Sequence, residues 1–425
     1  MSEDSAHPDI STFIAQNSLD SAHAYGFAEL FDSIEGDPLP QIDRYLVRHG
    51  LDRALAEPAC GLYAQVSRVA GRYLPLEPIG DGTAGEVWRV RDERLETSVA
   101  MKRLRRDHLH NPRLVARFEL EWRILSHLDH PNIPAVFDRG TLRDGRPWFT
   151  MPLVEGVEFD ASVAAAHQQL DGSRWGPGEP GWAAISRLLR SFVGVCGAAA
   201  EAHRAGIVHC DLSARNIRLG AHEQAYVLDW GIAQWHRDTS GPPAPPVEVV
   251  GTPYILAPER IRKKPIDARC DVYALGVLLY RLLSNRWPYD GPDEASILAQ
   301  IVAGPPLLSP GTRGAQTTYD PSRGSSAGSS FVNTAPEALC ALCVKAMHHD
   351  PDQRLASAES LAEALGAWLD GARRRSTAMA LVGSAAARNA QIRASRALAD
   401  AQRAEGRAEL QGVQPWEPEE AKWPG

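Results

Sequence analysis

The sequence predicts an α+β protein, with strands concentrated between about residues 73 and 154 and helices on either side. Two observations carry this. Tyr73 to Arg91 alternates like a pair of strands about a glycine-rich turn, Gly80-Asp81-Gly82-Thr83-Ala84-Gly85, and Val99-Ala100-Met101-Lys102 adds a third strand. Trp182 to Ala205 then places Ile185, Leu188, Leu189, Phe192, Val195 and Cys196 at helical spacing, as does the apolar run from Asp271 to Leu283.

The whole-chain properties bound what such a fold can do. With 425 residues, 44% of them hydrophobic, the chain is long enough for a large two-lobed domain with appendages. The net charge of −8 gives no overall basic field, so neither nucleic acid nor an anionic membrane is expected as partner. Six scattered cysteines lack the spacing of a disulfide framework and suit a reducing cytoplasm. Cys340-x-x-Cys343 has no second pair, and buried packing is the expectation there. The N-terminus carries no signal peptide and no apolar run is long and uninterrupted enough to span a bilayer, so a cytoplasmic, soluble chain is expected.

In order, residues 1–70 read as a helical extension: Ile10, Phe13 and Ile14, then Phe27, Leu30, Phe31 and Ile34, recur at helical intervals. Asp37-Pro38-Leu39-Pro40 reads as a turn, followed by a helical pair carrying Ile42, Tyr45, Leu46, Leu51 and Leu55. After the first three strands, Asn111-Pro112 signals the start of a helix over Leu114 to Leu128, and a strand is expected at Ala135 to Asp138. Helices are also expected at Glu294 to Ile301, Ala338 to Met347 and Leu361 to Leu369. The Gly/Ser/Thr/Pro-rich stretch 305–336 reads as a flexible insertion that could carry phosphorylation sites. Beyond Gly371 a solvated or partner-bound helix over Ala378 to Leu410 and a disordered end are expected.

The chemistry concentrates in Ile207 to Gly231. Asp211 is a carboxylate able to accept a hydroxyl proton, and Asn216 and Asp229 offer hard oxygen ligands of the kind that suit Mg²⁺ on phosphates. Upstream, a glycine-rich turn lets backbone N–H groups approach phosphate oxygens, and here a strand follows it where a dinucleotide-binding turn would have a helix.

The ordered set of glycine-rich turn, strand Lys102, His209-x-Asp211, Asn216 and Asp229-Trp230-Gly231 resembles the protein kinase family, in its bacterial eukaryotic-like serine/threonine branch. The resemblance spans about residues 71–371. It implies a small strand-rich N-lobe (71–151), a hinge (152–156) and a larger helical C-lobe (157–371), flanked by the helical extension 1–70 and the tail 372–425. It also implies ATP with Mg²⁺, or Mn²⁺, as cofactors and a protein hydroxyl as acceptor. By the same resemblance Lys102 holds the α- and β-phosphates, Glu121 pairs with it, Asp211 orients and deprotonates the acceptor, and Asn216 and Asp229 carry the metal. Ile79, Gly80, Gly82, Gly85, Val87 and Ala100 surround the nucleotide, Met151 is the gatekeeper, and Pro152 and Val154 present the hinge carbonyl and N–H. Thr252 is expected near Asp211, Asp271 as a cap on the catalytic loop, and Arg354 as the partner of Glu259.

Four departures qualify the match. Cys210 stands where the family has Arg, so less dependence on a phosphorylated activation segment is expected. Ser213 stands where a Lys is usual, and Arg215 is the expected replacement. Arg218 occupies a usually apolar position beneath the adenine, with its stem packing there and its charge reaching solvent. Ile255 stands where Tyr is usual. Two rivals stay open: a pseudokinase scaffold binding nucleotide, and a tyrosine or dual-specificity kinase suggested by Ser213-Ala214-Arg215. Partner docking through the terminal extensions is a further expectation.

Overall fold

The computed structural model describes residues 8–20, 22–34, 38–66, 69–82, 85–142, 144–170, 175–176, 178–220, 223–236, 252–304, 313–314, 318–319, 326–327, 331–332, 334–409, 411 and 416. Residues 1–175 and 180–366 form one compact unit, and 176–179 with 367–425 form a second.

Four helices open the chain: α1 (Pro8–Gln16), α2 (Ala22–Ser33), α3 (Pro38–Arg48) and α4 (Ala56–Val66). They close their own core around Phe27, whose ring lies 5.7 Å from Phe13, 5.6 Å from Phe31 and 5.1 Å from Tyr45. Gly26 is what allows this approach, because a Cβ there would sit 1.9 Å from the Tyr45 hydroxyl. The expected turn at Pro38-Leu39-Pro40 is instead the first turn of α3, where missing proline N–H groups cost no helical hydrogen bond. Leu51 and Leu55 fall before α4, not within it: the Asp52 side chain caps a short 3₁₀ turn, Arg53–Leu55, and both leucines pack on the core from there.

The next layer is a five-stranded antiparallel sheet of β1 (Tyr73–Asp81), β2 (Gly85–Asp92), β3 (Thr97–Leu104), β4 (Asp138–Thr141) and β5 (Pro147–Pro152), ordered β1-β2-β3-β5-β4. Helix α5 (Pro112–His127) is capped by the Asn111 side chain with Pro112 opening its first turn, so it starts two residues earlier than the apolar spacing alone suggests. The strand expected at Ala135 to Asp138 begins only at Asp138. Before it, the Asn132 amide donates to the Ala225 carbonyl and its own carbonyl accepts from Val227, tying the chain away from the sheet.

The remainder is mostly helical: α6 (Phe159–Leu170), α7 (Trp182–Arg204), α8 (Pro258–Ile261), α9 (Arg269–Ser284), α10 (Glu294–Ala303) and α11 (Glu337–Ala346). Short strands lie among them: β6 (Val157–Glu158), β8 (Ile217–Leu219) and β9 (Ala225–Val227) in one three-stranded sheet, and β7 (Ile207–Val208) paired with β10 (Gln234–Trp235). Helix α9 is buried along nearly its whole length. Among the described residues α7 alone is long and apolar enough to cross a membrane, and 61% of its apolar window is buried inside the fold. Cys340 and Cys343 are buried on α11, with their thiols donating to the carbonyls of Ala335 and Gly276. Within 305–336 only two short antiparallel pairs are described, Arg313–Gly314 with Phe331–Val332 and Thr318–Tyr319 with Ser326–Ala327, and most of that expected insertion lies outside the described residues.

The expected break after Leu369 is absent: α12 runs unbroken from Ala358 to Glu409. Nothing in the sequence stops it, since it holds no proline and each internal glycine costs only about 1 kcal/mol. Its later part exposes Met379, Leu381, Val382, Ile392 and Leu398. Most of the end expected to be disordered lies outside the described residues.

Candidate active site

The site forms where the sheet meets the loops between β7 and α8. Strand β3 is paired on both edges, with Lys102 opposite Val87 of β2 and Phe149 of β5. That pairing fixes the lysine backbone, and the residue is buried to 6% exposure. Its ammonium Nζ lies 2.6 and 2.7 Å from the two carboxylate oxygens of Glu121 and 3.1 Å from Asp229 Oδ1. Burial works against the lysine charge, but Glu121 and Asp229 outweigh it and hold the ammonium well above its ordinary range. Lys102 in turn keeps the Asp229 carboxyl below the usual carboxylate range, and the Asp229 side chain is still 46% exposed.

Around this cation the first strands make a cradle. Ile79, Gly80 and Gly82 are exposed along the turn, and Thr83 and Ala84 lie outside the described residues. Gly85 opens β2 so close to β3 that a Cβ would stand 2.8 Å from the Arg103 carbonyl, which requires glycine there. Val87 and Ala100 are partly and fully buried beside Lys102. Met151 pairs with Ala100 and Pro152 with Val99 at the end of β5, and Val154 follows on the connection to β6.

The second half of the site is built from loop backbone. Asp211 Oδ1 accepts from the Thr252 N–H at 3.0 Å, while Oδ2 accepts from Asn216 Nδ2 at 3.1 Å. The Asp211 carbonyl also accepts from Asn216 Nδ2, at 2.9 Å, and from the Ser213 N–H, at 2.8 Å. His209, fully buried, accepts from the Asp211 N–H through Nδ1; this leaves the proton on Nε2, which faces the Leu228 carbonyl at 3.3 Å. Asp271 on α9 closes the loop from beneath, accepting from the N–H groups of His209 at 2.8 Å and Cys210 at 3.0 Å and from His203 Nε2 at 2.9 Å. Burial alone would raise the Asp271 carboxyl, but the hydrogen bonds from His203 and the loop N–H groups hold it below its ordinary value.

The departures also find places. Arg215, 65% exposed, donates to the Thr252 hydroxyl at 2.7 Å and lies 4.0 Å from Asp211. Arg218 does not simply reach solvent: β6 and β8 set it opposite Glu158, and its guanidinium meets that carboxylate at 3.2 Å. The Ser213 hydroxyl is buried with no hydrogen-bond partner among the described residues. Trp230 is buried, its ring lies tilted 4.4 Å from that of His209, and it donates to the Val227 carbonyl. Ile255 is buried, while Tyr254 stacks on Trp287 at 5.7 Å. Arg354 grips both oxygens of Glu259 at 2.6 and 2.7 Å. Thr239, Ser240 and Gly251 lie outside the described residues.

Three contributors have no motif signature. Buried Arg260 donates to the Cys210 carbonyl, Gln234 donates to the Cys210 thiol at 3.3 Å, and His203 supplies the third contact to Asp271. Neither motif nor spacing marked them in the sequence.

The donor set fits a hard divalent cation between phosphates. The amide nitrogen of Asn216 is committed to Asp211, which leaves its carbonyl oxygen as a ligand, and Asp229 engages Lys102 through one oxygen.

Comparison with known proteins places this site in a wider group. The family model for the protein kinase domain matches residues 73–365. A probable serine/threonine-protein kinase of Streptomyces coelicolor is 32% identical over 307 residues, 72% of this chain and 41% of that protein. Serine/threonine-protein kinase PknB of Mycobacterium tuberculosis is 34% identical over 244 residues, 57% of this chain and 37% of its own length. Serine/threonine-protein kinase pkn2 of Myxococcus xanthus is 33% identical over 301 residues, 70% of this chain and 32% of that protein. The chain thus spans less than half the length of each of these relatives.

Proposed function

The chain belongs to the protein kinase family, and on that footing we propose that it is an ATP-dependent serine/threonine protein kinase, able to phosphorylate itself and other proteins. The observation that carries the proposal is the meeting of two networks: Lys102 with Glu121 and Asp229, and Asp211 with Asn216 and Thr252.

Each residue then has a task. Lys102, held rigid by Glu121, supplies a fixed positive charge to the α- and β-phosphates. Asp211, with its carboxylate oriented by Thr252 and Asn216, receives the acceptor hydroxyl and takes its proton. Asn216 and Asp229 hold Mg²⁺, with Mn²⁺ as an alternative ion. Bound there, the metal neutralises charge on the phosphates. Arg215 sits beside Asp211 and Thr252, so its guanidinium supplies the cation that Ser213 lacks. Because phosphoryl transfer asks the protein for positioning and charge neutralisation, a network already in place before substrate arrives is the main requirement.

Ile79, Val87, Ala100 and Met151 enclose the base, with Pro152 and Val154 at its edge and the Arg218–Glu158 pair beneath it. The domain boundaries proposed are 1–70, 71–371 and 372–425. We place the kinase in the cytoplasm, on the reducing conditions that suit its six free cysteines, and read α7 as a core helix. Docking of partners on the terminal extensions is part of the same proposal, supported by the exposed Leu39 and Val47 of α3 and the apolar side chains on the later part of α12.

The test is transfer of the γ-phosphate from ATP with Mg²⁺, to the protein itself and to a generic basic protein, beside Asp211→Asn. Transfer to serine or threonine that vanishes in the variant is the expected result. Metal-dependent nucleotide binding with no transfer overturns it, and phosphotyrosine as the main product moves the assignment to a tyrosine kinase.

A further inference from the structure

The peptide leading into Asp211 is clamped by Asp271, the cap that the resemblance implies, and by two groups outside the family motifs, Gln234 and Arg260. Cys210 has a φ of 68°, a left-handed backbone that a residue bearing a Cβ keeps only when its surroundings over-determine it. Those surroundings are all polar and all aimed at Cys210. Its N–H donates to Asp271 Oδ1 at 3.0 Å, its thiol accepts from Gln234 Nε2 at 3.3 Å, and its carbonyl accepts from Nη1 of Arg260.

Arg260 is the member that this fold has to explain. It is 6% exposed, and its neighbour Glu259 is anchored by Arg354. By the same resemblance the activation segment runs to Ala257-Pro258-Glu259, so helix α8 carries its end, and Arg260, the next residue, joins that end to the catalytic loop fifty residues earlier. A charge-assisted bond to a carbonyl in a buried setting is stronger than a neutral one, and a carbonyl so held resists rotation of its peptide plane. That plane leads directly into Asp211.

We infer that Arg260 is a positioning residue for phosphoryl transfer: it fixes the Cys210–Asp211 peptide so that the Asp211 carboxylate meets Thr252 and Asn216, with no phosphate needed on the activation segment. The loop lacks an arginine of its own at residue 210, and the buried cation comes from α8 instead. The inference rests on reading Asp211 as the proton acceptor of a kinase.

The experiment uses the full chain, measuring kcat and KM for ATP in wild type, Asp211→Asn, Arg260→Met and Arg260→Lys, with wild type assayed before and after phosphatase treatment. Because small misplacements of a reacting group cost large factors, Arg260→Met should lower kcat about 10- to 100-fold and leave KM for ATP within about twofold. Arg260→Lys, which keeps the cation, should fall between the two, and phosphatase-treated wild type should keep its kcat. Should Arg260→Met lack a cooperative melt, Arg260→Gln is read in its place. Wild-type kcat in the neutral variant, a lysine variant no better than methionine, a KM that rises in step with the loss, or dependence on activation-segment phosphate each overturns the proposal. A wild type that transfers nothing, or an active Asp211→Asn, defeats the underlying kinase reading instead, and the proposal with it.

Discussion

The two halves of the site, one proposed to hold the phosphates and the other the acceptor, are held by different physics. On the phosphate side, Lys102, Glu121 and Asp229 form a charged cluster in which each member needs the others. On the acceptor side, Asp211 is oriented by a backbone N–H from Thr252 and by the neutral Asn216, over a loop whose N–H groups fall on Asp271. Removing one member of the buried Lys102–Glu121 pair leaves its partner's charge uncompensated, which narrows the residue types that side admits. Backbone donors come with almost any residue, which explains how Cys210 and Ser213 occupy the acceptor side without disturbing the geometry about Asp211.

The contrast is sharpest in Lys102→Met. Transfer should fall about 10³-fold, the upper range for one preorganised electrostatic group. The same change strands Glu121 in a buried site, at a cost of about 3–5 kcal/mol. Adding Glu121→Gln should therefore recover much of the thermal stability and none of the transfer. A double variant that regained activity would show that the cluster is structural and not catalytic.

Arg215→Ala tests the acceptor side. The guanidinium is exposed, bonds the Thr252 hydroxyl and lies 4.0 Å from Asp211, so its loss should slow transfer about 10- to 1000-fold with little change in melting temperature. Near-normal turnover would leave the acceptor side with no cation in place of the lysine that Ser213 replaces. Asp271→Asn probes the layer beneath. One of its contacts from His209, Cys210 or His203 would face an amide N–H instead of a carboxylate oxygen, a loss of about 1–3 kcal/mol in folding stability. Denaturant midpoints give that number directly, and an unchanged midpoint would show the loop holds itself.

This division also explains how far the sequence could be read. Lys102, Glu121, Asp211, Asn216 and Asp229 were legible through the ordered motifs that carry the family resemblance, and the structure brings them together around Lys102 and Asp211. Arg260 and Gln234 were not, since their partners are a carbonyl and a thiol that leave no pattern in the chain. The fold shows the same limit. Apolar spacing marked α5 and α7 well, yet it ended the last helix at Leu369, because spacing reports buried faces and says little about where a solvated helix stops; the prolines read as a turn at Pro38 serve equally well in a first helical turn. The charge of Arg218 was expected in solvent because its partner Glu158 becomes its neighbour only through the pairing of β6 with β8.

The smallest effect concerns acid. Arg354 outweighs burial and holds the Glu259 carboxyl below its ordinary value of 4.5. A carboxylate depressed in this way adds stability that is fully present above the unfolded pKa and is lost as pH falls through the lower folded value. Wild type should therefore hold its melting temperature from neutral pH down to about 4.5, and lose the Glu259 share only below that. Arg354→Met removes the cation and leaves burial, which pushes the same carboxyl upward. The sign then reverses, and the variant gains relative to wild type as the buried group takes up its proton. The stability gap between the two proteins should narrow by about 1.4 kcal/mol for each pKa unit separating their Glu259 groups as pH falls from 7 to about 3. A gap that stays constant would mean that Arg354 stabilises the fold through its bonds to the carbonyls of His348 and Arg269 and not through its charge on Glu259.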